Sequence, residues 1–219
     1  QISATFPSRP CAVAMSDKDP VAGDPLAFKL REGRRFELPL AASGARAVFK
    51  VDARHVGGHV REAVVCAGED RSAWRMLSDE GRHLKGTDLA PFPFGFFNAG
   101  LQCDLMRCIR NAAIARGVTI DALDLVVDNE YWLTGSFALG TAQGFAAPTR
   151  IQIRVRSTAS DTAIKNLTAA AVAGSPALSL LRTPLTSTFA LYINGRRRAV
   201  DGVAASPAAD VVDPFLRYS

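Results

Sequence analysis

The segment Pro91–Gly117, PFPFGFFNAGLQCDLMRCIRNAAIARG, constrains this chain more than any other. Proline and phenylalanine turns open it and a helical pattern of about twenty residues follows. Gly117 then supplies the residue tolerant of positive φ that helix ends favour. Apolar residues fall on nearly every face, the pattern of a helix enclosed by protein on all sides rather than lying on a surface. Within it Asp104, Arg107, Cys108 and Asn111 recur at i, i+3, i+4 and i+7 and form one polar stripe. Burying such a stripe costs on the order of several kcal/mol unless its groups are paired or used, so the site is expected here. So apolar a helix in so small a domain needs cover on several sides, and a homodimer sharing strands around two such helices meets that need.

The flanking sequence predicts the cover. Residues 1–45 are rich in Pro, Gly, Asp and Arg and read as an N-terminal extension with short strands at Leu26–Leu30 and Phe36–Leu40. Three strand-like runs follow, Val48–Arg54, Val60–Cys66 and Ala73–Leu77, separated by the turn compositions HVGG and AGED. They predict an antiparallel meander. After Gly117 one long half-buried strand is expected, with Leu123, Leu125, Val127, Tyr131 and Leu133 on one face. Thr149–Ser157 alternates Ile151, Ile153 and Val155 inward with Arg150, Gln152, Arg154 and Arg156 outward. Ser160 or Asp161 caps a helix that reaches Gly174, and Ser175-Pro176 reads as the N-cap and first residue of a short helix, ALSLL. Phe189–Ile193 is a last strand, the run Arg196–Arg198 a solvated turn, and residues 199–219 a tail ending on Phe215 and Tyr218. The order βββ–α–ββ–α–α–β is that of an α+β domain.

Composition narrows the function classes. A formal charge of +5 comes partly from the three consecutive arginines. The basic residues are otherwise scattered rather than interleaved with aromatics along one face, which argues against a nucleic-acid partner. No apolar run approaches the roughly 20 residues that span a bilayer, and QISATFPSRPC lacks a secretory pattern. The four cysteines, Cys11, Cys66, Cys103 and Cys108, show no CxxC and no metal-type spacing with the three histidines, so a reducing cytoplasm and no metal or other cofactor are expected. The His55–His59 spacing falls on a strand–turn–strand, where it lacks the helical geometry of a metal pair.

With this element order, the central helix and the Ala173-Gly174-Ser175-Pro176 segment, residues 46–195 resemble the OsmC/Ohr family, the osmotically inducible and organic-hydroperoxide-resistance proteins. The resemblance implies antiparallel sheets wrapped around a long buried helix in an intertwined dimer, with sites at the subunit boundary. Its typical members reduce organic hydroperoxides by thiol chemistry. In that family a Pro-Glu opens the helix, a reactive cysteine lies within it and a Gly-Cys-Pro carries the partner cysteine. Aligned from Pro93 or from Gly117, Asp104 stands at the reactive position, Cys103 one residue earlier, Phe94 in place of the glutamate and Ser175 in place of the partner cysteine. The family's arginine would be Arg54 or Arg61 of the meander.

Ser175 cannot close a disulfide. Cys103 and Cys108, five apart on a helix, have Cα atoms about 8–9 Å apart, beyond the roughly 7 Å that a disulfide spans. The expected function is therefore non-redox acid/base chemistry, of hydrolase or lyase type, on a small apolar or aromatic organic molecule. Asp104 would be general acid/base, with Arg107 or a meander arginine stabilising negative charge. Ser175 caps its helix, whose N-terminus could also hold an anionic substrate group. Arg54, His55, His83, Phe94, Phe97 and Asn111 are the expected substrate contacts. Two alternatives stay open: a thiol peroxidase using Cys103 or Cys108, and a small-ligand-binding protein without turnover.

Overall fold

Turn chemistry sets the first sheet. Gly58, at φ +54°, reverses the chain between β2 (Lys50–Gly57) and β3 (Val60–Ala67), and β4 (Ser72–Ser78) continues the antiparallel meander. The computed structural model describes residues 27–29, 50–67 and 72–210. The expected strand Phe36–Leu40, Cys11 and the tail aromatics Phe215 and Tyr218 lie outside them. A short β1 (Ala27–Lys29) adds to β4, giving a sheet in the order β1-β4-β3-β2. Residues of the expected N-terminal extension therefore share the meander's sheet.

The described chain forms two compact units, one of residues up to Pro93 and from Thr186 onward, the other Phe94–Leu185. In the first, the alternation of the sheet turns charged residues to its buried face. Glu62 is fully buried and receives Arg54 Nε at 2.7 Å and the buried Arg75 Nε on its other oxygen. A buried carboxylate held by two guanidinium groups tolerates its desolvation. After β4 a loop closes on Asp79, also fully buried. Its carboxylate accepts from the N–H groups of Glu80, Thr87 and Leu89 at 2.7–3.1 Å and from the Thr87 hydroxyl at 2.6 Å. Burial opposes ionisation, but the Thr87 hydroxyl and the three N–H groups outweigh it and hold the pKa at about 2.

The C-terminal part of this unit departs from expectation twice. The expected strand Phe189–Ile193 is shorter, β9 (Leu191–Ile193), with Phe189 in an isolated bridge to Ala205. The arginine run is no solvated turn: Arg196–Arg198 is β10, paired with β9 across Asn194-Gly195. Both turn residues have positive φ, 49° and 76°, the conformation that two-residue hairpins require.

The second unit is built on α1 (Pro93–Ala115). Leu101, Leu105, Ile109 and Ala113 form its buried stripe, four residues apart, and pack with Ile120, with Leu167 and Ala171 of α2 (Asp161–Gly174) and with Leu178 of α3 (Pro176–Arg182). The inward side chains of β5 (Ala122–Asp128) and β8 (Arg150–Arg156), among them Leu123, Leu125, Ile151, Ile153 and Val155, close this core from an antiparallel two-stranded sheet. Among the described residues α1 has one buried stripe at i, i+4 spacing rather than the expected cover on all sides; Phe94, Phe97 and Ile114 are exposed.

The caps fall where expected. Ser160 Oγ accepts from Ala163 N at 3.3 Å at the start of α2, and Ser175 Oγ accepts from Leu178 N at 3.2 Å with Pro176 at N1 of α3. The long strand expected after Gly117 breaks at Asn129-Glu130 into β5 and β6 (Tyr131–Thr134). The two pieces take different partners: β5 pairs with β8, whereas β6 pairs with β7 (Gln143–Ala146). Asn129 fixes the break by donating Nδ2 to Asn98 Oδ1 of α1 at 2.5 Å. Leu133, expected inward, is exposed.

Candidate functional site

Asp104 is the hub of the second unit. Its Oδ1 accepts from Arg107 Nη2 at 2.6 Å, one helical turn on. Its Oδ2 accepts from the Ser175 hydroxyl at 2.6 Å and from Ala177 N at 3.2 Å. The last two donors stand at the N-terminus of α3, where a free N–H and the helix dipole favour an anion. The anion expected at that terminus is thus no substrate group but Asp104 itself. Burial would raise its pKa; the Ser175 hydroxyl, Arg107 and Ala177 N–H outweigh it and hold the carboxyl below its ordinary range. The same bond raises Arg107 further. Asp104 is therefore ionised at neutral pH, with both oxygens engaged.

Cys108 lies at the edge of this cluster. Arg107 Nη2 approaches its Sγ at 3.6 Å, and the thiol points at Gly174 O at 3.8 Å. Burial and the Asp104 charge push the thiol pKa up against the opposing effect of Arg107, so the thiolate needed for nucleophilic attack is scarce near neutral pH. Cys103 is an exposed free thiol and Cys108 a half-buried one. Asp104, Arg107, Cys108 and Ser175 are thus together as the sequence suggests. Cys103 and Asn111 are exposed positions on α1, and helical geometry turns Cys103 about 100° away from Asp104.

Beside the cluster a half-open apolar cavity of about 650 Å³ is lined by all three helices, β8 and the β7–β8 connection. Phe94 and Phe97, expected as contacts, stand in its wall with Leu105, Val172, Leu178 and Ile153. Phe94 also stacks on Tyr131, with ring centroids 4.1 Å apart and planes 9° from parallel. A volume in the range of about 300–1,000 Å³ with few polar groups suits one small organic molecule. Tyr131, Thr149 and Arg182 supply the polar part of the lining and were not among the expected contacts. Arg182 ends a short helix, where a cation is ordinarily a cap, so its sequence carries no distinct signal.

The expected contacts from the meander belong to the other unit and are engaged there. Arg54 pairs with Glu62, Arg61 donates to His59 O at 2.9 Å and pairs with Glu80 at 3.1 Å, and His55 Nε2 lies 3.0 Å from Gly58 O. His83 is exposed on a short 3-10 turn, Arg82–Leu84. Among the described residues, no group of three His, Cys, Asp or Glu side chains is placed to hold a metal ion. No helix among them is long and apolar enough to cross a membrane.

No family model matches the chain, and none of the curated proteins matches it. Solved structures do. An OsmC-like hydroperoxide resistance protein from Jannaschia sp. CCS1 is 23% identical with a TM-score of 0.45, over 69% of this chain and 96% of that one. An OsmC-like protein from Mycoplasma pneumoniae is 16% identical with a TM-score of 0.49, over 62% of this chain and 87% of that one. An organic hydroperoxide resistance protein OsmC from Legionella pneumophila is 17% identical with a TM-score of 0.41, over 63% and 89%. The solved structures to which this chain is similar, at low identity and over part of its length, are OsmC-like and organic hydroperoxide resistance proteins.

Proposed function

We propose that the chain takes a small apolar or aromatic organic molecule into the cavity beside α1 and handles it without thiol redox chemistry. One observation carries this reading: the hydrogen bond of 2.6 Å between the Ser175 hydroxyl and Asp104. The resemblance puts these two residues where the OsmC/Ohr family has its cysteine pair. A hydroxyl and a carboxylate in contact can neither attack a peroxide as thiolate nor close a disulfide.

The same geometry argues against Asp104 as a proton carrier. A general base works best with a pKa near the working pH, whereas this carboxyl is held low and both its oxygens already accept hydrogen bonds. Its role in this reading is a fixed charge that fastens the α3 wall of the cavity to α1, and the protein is a binding module for its ligand. Titration with the neutral fluorophore N-phenyl-1-naphthylamine should show saturable binding at one site per chain, abolished when Val172→Trp fills the cavity. Dithiothreitol-dependent turnover of cumene hydroperoxide that disappears in a Cys103→Ser/Cys108→Ser variant would overturn the reading in favour of a thiol peroxidase.

We also propose that two copies associate. Ile114 of α1 and Phe137 and Leu139 of the β6–β7 loop remain 78–80% exposed, and the hairpin strands themselves expose Trp132, Leu133 and Phe145. Five of these six apolar side chains fall in one hairpin, which a second copy could cover, and a lone two-stranded hairpin is marginally stable. Light scattering on a sizing column at micromolar concentration should give twice the chain mass; a monomer there would refute association.

A further inference from the structure

The cavity has one ionisable side chain with a permanent charge in its wall. Of its lining residues only Arg182 is charged, and the rest are apolar apart from Thr149 and the Tyr131 hydroxyl. Arg182 is held in place: Nη1 donates to Val172 O at 3.0 Å and Nη2 reaches Ala173 O at 3.4 Å, both in the last turn of α2. A guanidinium has five N–H donors in a planar fork, so two carbonyl bonds orient it and leave donors unspent. Val172 lines the cavity too, so the cation is pinned at that part of the wall.

Among the described residues that cation meets helix-end carbonyls rather than a carboxylate. The neighbouring carboxylate of the cluster, Asp104, is bonded to Arg107. Among the described residues no carboxylate pairs with Arg182. On β8 the charged and polar side chains Arg150, Gln152, Arg154 and Arg156 alternate outward, away from Ile151 and Ile153 in the cavity wall. An apolar enclosure with a single fixed guanidinium at its rim complements an apolar body with a single anionic end.

We infer that the ligand of this cavity is an organic acid, an aromatic or aliphatic body ending in one carboxylate that Arg182 receives. The inference rests on the cavity being a binding site and adds the charge of its occupant. The probes are 2-naphthoate and its neutral isostere 2-naphthamide, each titrated calorimetrically into wild type, Arg182→Gln and Arg182→Lys. Wild type should bind the acid about tenfold more tightly than the amide, the lower end of what a charge-assisted hydrogen bond contributes at a partly exposed site. Arg182→Gln should remove that preference and leave the amide within about twofold, Arg182→Lys should retain part of it, and rising salt should weaken only the acid.

Equal binding of acid and amide by wild type overturns the inference while leaving the cavity a binding site. So does an Arg182→Gln variant that loses both probes alike, because Arg182 then serves only to cap α2. If neither probe nor the neutral fluorophore binds wild type, the cavity reading fails and this inference with it. Thermal melts of the variants separate lost binding from lost fold, and Arg182→Lys keeps the test decisive should the glutamine variant not fold.

Discussion

Replacing Asp104 by alanine strips three donors of their acceptor at once, and the structure sets the cost. Ser175 is 1% exposed and its hydroxyl donates to Asp104 Oδ2. It would keep only the bond it accepts from Leu178 N, and a buried donor left unpaired costs about 1–3 kcal/mol. Losing the acceptor of Ala177 N adds about 0.5–1.5 kcal/mol. The ion pair to Arg107, whose side chain is 55% exposed, adds only about 0–1 kcal/mol. Asp104 itself is 19% exposed, so water can enter and recover part of this. A loss of about 2–3 kcal/mol is expected for Asp104→Ala. Asp104→Asn keeps the shape and one acceptor and should lose about 1 kcal/mol. Urea denaturation followed by circular dichroism at pH 7 measures both, with the slope unchanged if only native contacts are lost. A double-mutant cycle with Ser175→Ala should return a coupling of about 1–2 kcal/mol. A loss below about 0.5 kcal/mol for Asp104→Ala, or strict additivity with Ser175→Ala, would refute the clasp as a load on the fold.

Acid should find Asp79 next. Its folded pKa of about 2 lies below the unfolded 3.8, so it contributes about 2 kcal/mol above pH 4 that is lost as pH falls through 2. A carboxyl titration by NMR that places Asp79 above pH 3.5 would contradict this. Glu62→Gln should destabilise the first unit by about 3 kcal/mol, because it removes the buried carboxylate charge that meets both Arg54 and Arg75; a melting temperature within a degree of wild type would show that charge to be dispensable. Gly135→Ala should cost at least about 2 kcal/mol, since its φ is +74° and a Cβ would lie 2.0 Å from Thr141 O. An unchanged urea midpoint for that variant would mean the 135–141 loop relaxes freely.

The parts legible in the sequence are those set by neighbours along the chain. Ile151, Ile153 and Val155 alternate inward as their spacing requires, and Ser160 and Ser175 cap the helices they precede. The proximity of Asp104 and Ser175, 71 residues apart, was legible only through the OsmC/Ohr resemblance. Failures concentrate where distant partners decide. The alternation from Leu123 to Leu133 runs on across Asn129, but β5 and β6 have different partners and period cannot register that. Three arginines in a row carry no strand signature, so β10 follows from its Asn194-Gly195 turn, a hairpin signal the arginines mask. Glu62 and Arg75 look like ordinary surface charges until the strand register turns both to the buried face. Cys103 and Asn111 share α1 with Asp104, yet the buried stripe of that helix is Leu101, Leu105, Ile109 and Ala113.

The seven-residue helix α3 is anchored at its first turn by Asp104 through Ser175 and Ala177, and at its last by Arg182 on the α2 carbonyls. A helix of this length does not persist unaided. With its corners secured from outside, Leu181, which lines the cavity and is 43% exposed, is free to change without endangering the attachment, whereas Leu178 belongs to the buried core. For protein engineering this makes α3 an adjustable panel: a small library at Leu181, with Asp104, Ser175, Leu178 and Arg182 left untouched, would vary the shape of the enclosure while the frame that carries it stays the same.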